Sequence, residues 1–137
     1  YLDLNFEKKR KRFTDILDMQ RKKTGKLFNF CCYAAGVIAK KNNKELKSLS
    51  KLGEDIGLLF QFADDFIDIK GSKKLAGKST KKDKKKGKST LVALIGYEKA
   101  YSYASKLKKN ILSKLTKHGK KADNLINTVE FILERNF

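Results

Sequence analysis

Proline and tryptophan are absent from these 137 residues, and histidine and methionine occur once each. Without proline no helix is forced to kink or stop, so any break must come from glycine or from polar clusters. The single histidine, His118, stands beside Gly119 near an expected helix end and reads as a surface residue. With no second histidine, no Cys/His set for zinc can be completed. The only cysteines, Cys31 and Cys32, are neighbours. Cα atoms about 3.8 Å apart do not suit a relaxed disulfide. Flanked by Phe30, Tyr33, Ala34 and Ala35, they read as small core residues in a reducing cytoplasm. No apolar run approaches the roughly 20 residues of a membrane span, so a soluble, cytoplasmic protein without stable membrane insertion is expected. The chain opens on Tyr1 with no signal or transit pattern, which reads as a piece of something longer.

Acid is scarce as well. Fifteen Asp and Glu stand against 33 Lys and Arg, a net charge of +18. Such an excess points to an anionic partner or to a lysine-rich surface. The lysines are uneven: Lys70 to Lys88 holds ten of them against the single acid Asp83.

Strand-like alternation is weak, and apolar residues recur at three- and four-residue spacing, so the spacing predicts an all-α chain. A first helix is expected over about Leu4 to Asp18 and a second over about Met19 to Lys40. A third begins near Asn43 and runs to Ile69, with Gly71 ending it. The lysine-rich stretch from 70 to 88, punctuated by Gly71, Gly77 and Gly87, reads as a mobile loop. A fourth helix covers about Ser89 to His118, with Asn110 as a possible weak point, and a terminal helix covers Lys121 to Arg135. No internal repeat is visible.

The third helix carries the chemistry. Asp64, Asp65 and Asp68 form a DDxxD pattern just after Phe60-Gln61. Asp64 and Asp68 share one helix face, with Gln61 one turn earlier and Asp65 adjacent. Acids at this spacing also occur on solvated faces that bind nothing. Here, however, Leu58, Leu59, Phe60, Phe62, Phe66, Ile67 and Ile69 surround them. Carboxylates in so apolar a helix must open on a cavity, a metal or a paired cation. Mg²⁺ suits them, because it takes hard oxygen ligands and is usually held by one or two carboxylates plus substrate phosphates. A Walker-type nucleotide loop is not expected. GKST occurs at Gly77 and at Gly87, but the glycine required five residues earlier is Ser72 or Lys82.

Taken in order, Lys23-Thr24-Gly25, Phe60-Gln61 leading into Asp64, Asp65 and Asp68, Leu75-Ala76-Gly77-Lys78, Asp83, Gly87-Lys88-Ser89-Thr90 and Arg135-Asn136 resemble the C-terminal half of a trans-isoprenyl diphosphate synthase. The resemblance is to the bacterial farnesyl diphosphate synthase type and covers essentially the whole chain as one part-domain, 1–137. It implies an all-helical bundle around a deep cavity, where two aspartate-rich motifs and three Mg²⁺ ions hold an allylic diphosphate. The motif here is similar to the second of the two. Carried over residue by residue, Asp64 and Asp68 would bind metal and Asp65 would support that site. Lys23, Lys78 and Lys88 would meet the diphosphate, and Thr24 and Gln61 would face the reacting carbon.

The implied reaction condenses dimethylallyl or geranyl diphosphate with isopentenyl diphosphate, 1'-4 and head to tail, in a homodimer. The lysine-rich loop would close over bound diphosphate. The first aspartate motif and the isopentenyl diphosphate contacts are absent, so these 137 residues alone are expected to be inactive. Two other readings stand beside this one. The first is a terpene cyclase-like or inactive regulatory relative of the same fold. The second is a basic helical nucleic-acid-binding module, motivated by the +18 charge.

Overall fold

A computed structural model describes the backbone of residues 13–76 and 90–134 and the side chains of 14–71 and 90–134. Every regular element among them is helical. α1 (Phe13–Gln20) runs through a five-residue π-helical turn (Arg21–Gly25) into α2 (Lys26–Ile38). α3 (Asn43–Ala76) is followed by α4 (Leu91–Ile95), α5 (Tyr97–Leu115), a 3₁₀ segment (Thr116–Ala122) and α6 (Asp123–Glu134). No helix is long and apolar enough to cross a membrane among the described residues.

α3 is the spine. Its start is fixed by a reciprocal cap: Asn42 Oδ1 accepts from the backbone N–H of Lys44 and Glu45, and Glu45 Oε2 accepts from the backbone N–H of Asn42. Gly71 does not end it. The helix runs 34 residues to Ala76, about 51 Å at the usual helical rise. The expected stop at Gly71 and the loop assignment of 70–76 are therefore corrected. One helical glycine costs only about 1 kcal/mol, and a Cβ at Gly71 would meet nothing within 4 Å. Gly71→Ala is accordingly expected to raise stability by about 0.5–1 kcal/mol, measured by thermal unfolding.

Two other breaks also fall elsewhere than expected. α1 and α2 are continuous across Asp18 and Met19, joined by the π-turn. The interruption after residue 89 is at Gly96, with φ +83°, and not at Asn110, which lies inside α5. Thr90 caps α4, its side chain accepting from the backbone N–H of Ala93.

The core lies on one flank of α3. Leu58, Leu59, Phe62 and Phe66 are buried there with Ala100, Ala104 and Ile111 of α5 and Val129, Ile132 and Leu133 of α6. Phe62 lies 5.5 Å from the Tyr103 ring, and Phe66 lies 5.1 and 5.7 Å from Tyr97 and Tyr101. These spacings suit tilted aromatic pairs. The buried Asp55 carboxylate bridges Lys51 and Lys114, both at 3.2 Å, tying α3 to α5.

α2 packs along the other flank of α3. A side chain at Gly53 would run into the Phe28 carbonyl, and one at Gly57 would come within 2.7 Å of the Gly25 Cα. The two backbones touch because both positions lack a Cβ. Beside this contact Asn29 donates to Ser50 Oγ at 2.7 Å and to Glu54 Oε1 at 3.0 Å. The outer side of α2 is uncovered, with Leu27, Phe30, Val37 and Ile38 exposed. The reading of Cys31 and Cys32 as core residues is overturned there: Cys31 is exposed and Cys32 half-buried. Burial, with a smaller effect from Cys31, pushes the Cys32 thiol above its ordinary value. Their apolar neighbours belong to the same uncovered side, so hydrophobic flanks did not imply a core.

Candidate functional site

The close contact at Gly57 brings the π-turn against the middle of α3, where the aspartates lie. π-Helical turns are rare and recur at functional sites, and this one contains Lys23, Thr24 and Gly25. Thr24 Oγ1 lies 3.0 Å from Gln61 Oε1, and Gln61 Nε2 lies 3.2 Å from Asp65 Oδ1. The amide gives its N–H to Asp65 Oδ1, which leaves its oxygen to accept from the Thr24 hydroxyl.

An open cavity of about 440 Å³ lies between the two helices. Lys23 and Thr24 line it from the π-turn, and Gln61, Asp64, Asp65 and Asp68 line it from α3. Six residues picked from the sequence thus meet in one place. The helical face predicted for Asp64 and Asp68 is the one that opens on this space. Asp65 is only 5% exposed, Asp64 is half-buried and Asp68 is exposed. The expectation that apolar residues surround the aspartates holds on the core flank, where Phe62 and Phe66 are buried, but Ile67 is 41% exposed and lines the cavity. Lys78 and Lys88 lie outside the described residues.

Four more residues line the cavity: Met19, Gln20, Ile67 and Thr90. None of them is assigned a site role from the sequence, although Ile67 stands there among the apolar residues around the aspartates and Thr90 closes the Gly87-Lys88-Ser89-Thr90 motif. Helical register held a signal for two, since Gln20 precedes Lys23 by three positions and Ile67 follows Asp64 by three. Gln20 is 4% exposed, and its Oε1 is sealed from solvent with no hydrogen-bond partner among the described residues. A buried acceptor left in this state costs about 1–3 kcal/mol. Gln20→Met, of similar shape and with no amide, is therefore expected to melt at or above the wild-type temperature. A fall of more than a few degrees in thermal unfolding would contradict the assignment.

Among the described residues, no group of three His, Cys, Asp or Glu side chains could hold a metal ion. What the wall offers is two carboxylates four residues apart, Asp64 and Asp68, with an ammonium at Lys23 across the same space. That set fits a Mg²⁺–diphosphate complex, where phosphate oxygens and water complete the shell. It does not fit a metal caged by protein alone.

Residues 1–129 match the model of the family described as polyprenyl synthetase. The chain belongs to the polyprenyl synthetase family. It is 30% identical to farnesyl diphosphate synthase of Micrococcus luteus over 135 residues, 98% of this chain and 46% of that protein. It is 36% identical to geranylgeranyl pyrophosphate synthase 4 of Arabidopsis thaliana over 115 residues, 83% of this chain and 31% of that protein. The crystal structure of a geranyltranstransferase from Thermotoga maritima superposes with a TM-score of 0.76 at 28% identity, covering 98% of this chain and 46% of that one. The all-α bundle expected from the sequence is thus the fold observed. The chain spans about half the length of such polyprenyl synthetase relatives, or less.

Proposed function

We propose that the full-length protein is a Mg²⁺-dependent prenyltransferase. In this reading it condenses dimethylallyl or geranyl diphosphate with isopentenyl diphosphate, 1'-4 and head to tail, giving farnesyl or geranylgeranyl diphosphate. The observation that carries the reading is the convergence of Lys23, Thr24, Gln61, Asp64, Asp65 and Asp68 on one cavity in a polyprenyl synthetase. Asp64 and Asp68 would hold Mg²⁺, with Asp65 next to them on α3. When bound, the metal, three ions in the complete site, draws negative charge off the leaving diphosphate.

The chain's own residues do the rest. Lys23 places an ammonium where the leaving group gains charge, and Lys78 and Lys88 supply more from the segment after α3. Thr24 and Gln61 turn oxygen lone pairs and amide dipoles toward the allylic carbon as it becomes positive. Met19 and Ile67 contribute apolar wall, keeping water from the cation. The alkene of isopentenyl diphosphate attacks that carbon, and a proton then leaves. The released diphosphate is basic enough to take it, so no histidine is required.

The 137 residues by themselves lack the first aspartate motif and the isopentenyl diphosphate contacts, and so are inactive. The complete protein is a cytoplasmic homodimer without a nucleic-acid partner. Calorimetry with methylenebisphosphonate, a non-hydrolysable diphosphate analogue, tests the site directly. Binding by the full-length protein is expected with Mg²⁺ and to fall at least about tenfold in EDTA, since each charge-assisted contact contributes about 1.5–3 kcal/mol. Equal binding in both conditions would remove the metal–diphosphate reading.

A further inference from the structure

We propose that Asp65 is a positioning residue for Thr24, acting through Gln61. The inference rests on the prenyltransferase reading and assigns Asp65 a task separate from holding metal. Three side chains are linked in series: Thr24 donates to Gln61 Oε1 at 3.0 Å, and Gln61 Nε2 donates to Asp65 Oδ1 at 3.2 Å. The direction of each link fixes the next. Asp65 Oδ1 takes the amide N–H. The amide then has only its oxygen to offer Thr24, so the hydroxyl proton points at Gln61.

The direction of that proton decides what Thr24 is for. A hydroxyl has one donor and two acceptor lone pairs. Thr24 lines the cavity. With its proton committed to Gln61, it meets the contents of the cavity with lone pairs. Lone pairs favour an electron-poor carbon and repel phosphate oxygens. If the amide were reversed, Thr24 would accept from Gln61 and offer its O–H to the cavity, which suits an anion instead. Asp65 therefore assigns Thr24 to the cationic side of the reaction and away from the diphosphate. Its position fits this task. It is 5% exposed, while Asp64 and Asp68, on the same wall, are the more accessible carboxylates. Gln61 lies one helical turn before Asp65, the spacing at which two side chains on a rigid helix stay in register.

The test is a double-mutant cycle in the full-length protein. Asp65→Leu removes the acceptor and is expected to lower kcat about tenfold, the scale of one hydrogen bond to a charged group. KM for both diphosphates and the Mg²⁺ concentration for half activity are expected to stay within about twofold. Thr24→Val lowers kcat by itself, and Asp65→Leu added to it is expected to cost no more than about a further twofold. Asp65→Asn, whose Oδ1 still accepts from Gln61, recovers most of the rate lost in Asp65→Leu.

Calorimetry of methylenebisphosphonate with Mg²⁺ gives a readout independent of turnover, and its affinity is expected to be unchanged in Asp65→Leu. If Asp65→Leu does not fold, Gln61→Leu takes its place and is likewise expected not to multiply with Thr24→Val. Losses that multiply, or a raised Mg²⁺ requirement with weaker bisphosphonate binding, would overturn the proposal and make Asp65 a metal ligand. If the wild-type protein shows neither condensation nor Mg²⁺-dependent bisphosphonate binding, the prenyltransferase reading itself fails.

Discussion

Asp64→Asn in the full-length protein is expected to lower the Mg²⁺-dependent condensation rate by about a hundredfold or more, with little change in folding. Asparagine keeps the shape of the side chain and removes its charge. Asp64 is half-buried on the cavity wall, on the face it shares with Asp68 and Gln61. In the proposed reaction that charge holds the cation that neutralises the leaving diphosphate, and removing one preorganised stabiliser of transition-state charge typically costs 10²–10³ in rate. The Mg²⁺ concentration for half activity should rise in the same variant. Circular dichroism should melt within a few degrees of wild type, because the core lies on the opposite flank of α3. A variant that folds and turns over at the wild-type rate would show that Asp64 has no part in the chemistry.

Gly57→Val is expected to do the opposite, lowering stability first and activity as a consequence. The added Cβ would sit 2.7 Å from the Gly25 Cα, and what it meets is backbone, which cannot swing away. Overpacking a tight contact costs about 1–3 kcal/mol and occasionally more. The β-branched side chain adds crowding against its own helix, so about 3 kcal/mol is expected for valine and less for alanine. Separating α3 from the π-turn also lengthens the 3.0 Å link between Thr24 and Gln61. Denaturant unfolding and steady-state kinetics on the same samples check both effects. A Gly57→Val protein as stable as wild type would contradict the close helix contact on which the site is built.

Much of this site could be read from the sequence, for a physical reason. Helical periodicity is strict enough that Asp64, Asp68 and Gln61 had to share a face, and the apolar residues around them required that face to open on something. That Thr24 and Gln61 belong to one site came from the family resemblance and not from spacing, and their hydrogen bond across 37 positions is seen only in the structure. Other features left no local trace. A π-turn at Arg21–Gly25 has no composition of its own, so the spacing predicts two helices where the chain forms one continuous helical run. Gly71 looked like a terminator, yet a glycine stops a helix only when the backbone turns there, and α3 continues to Ala76. Gly96 does turn, with φ +83°, and a bare glycine count could not separate the two. The exposure of Cys31 depends on what packs across α2, which no pattern within α2 encodes. The glycines that set the helix contact, Gly53 and Gly57, lie four residues apart on α3. Residues four apart share one helix face, so this spacing is the local mark of the contact.

The central claim, that Thr24, Gln61 and the aspartates form part of a prenyl-transfer site, is tested most directly by assaying the full-length protein. It would be supplied with Mg²⁺, isopentenyl diphosphate and either dimethylallyl or geranyl diphosphate, with products read by mass spectrometry. A discrete C15 or C20 prenyl diphosphate, formed with Mg²⁺ and lost in EDTA, is the expected result. A folded protein that binds the substrates and yields no elongated product, or only cyclised hydrocarbon, would contradict it.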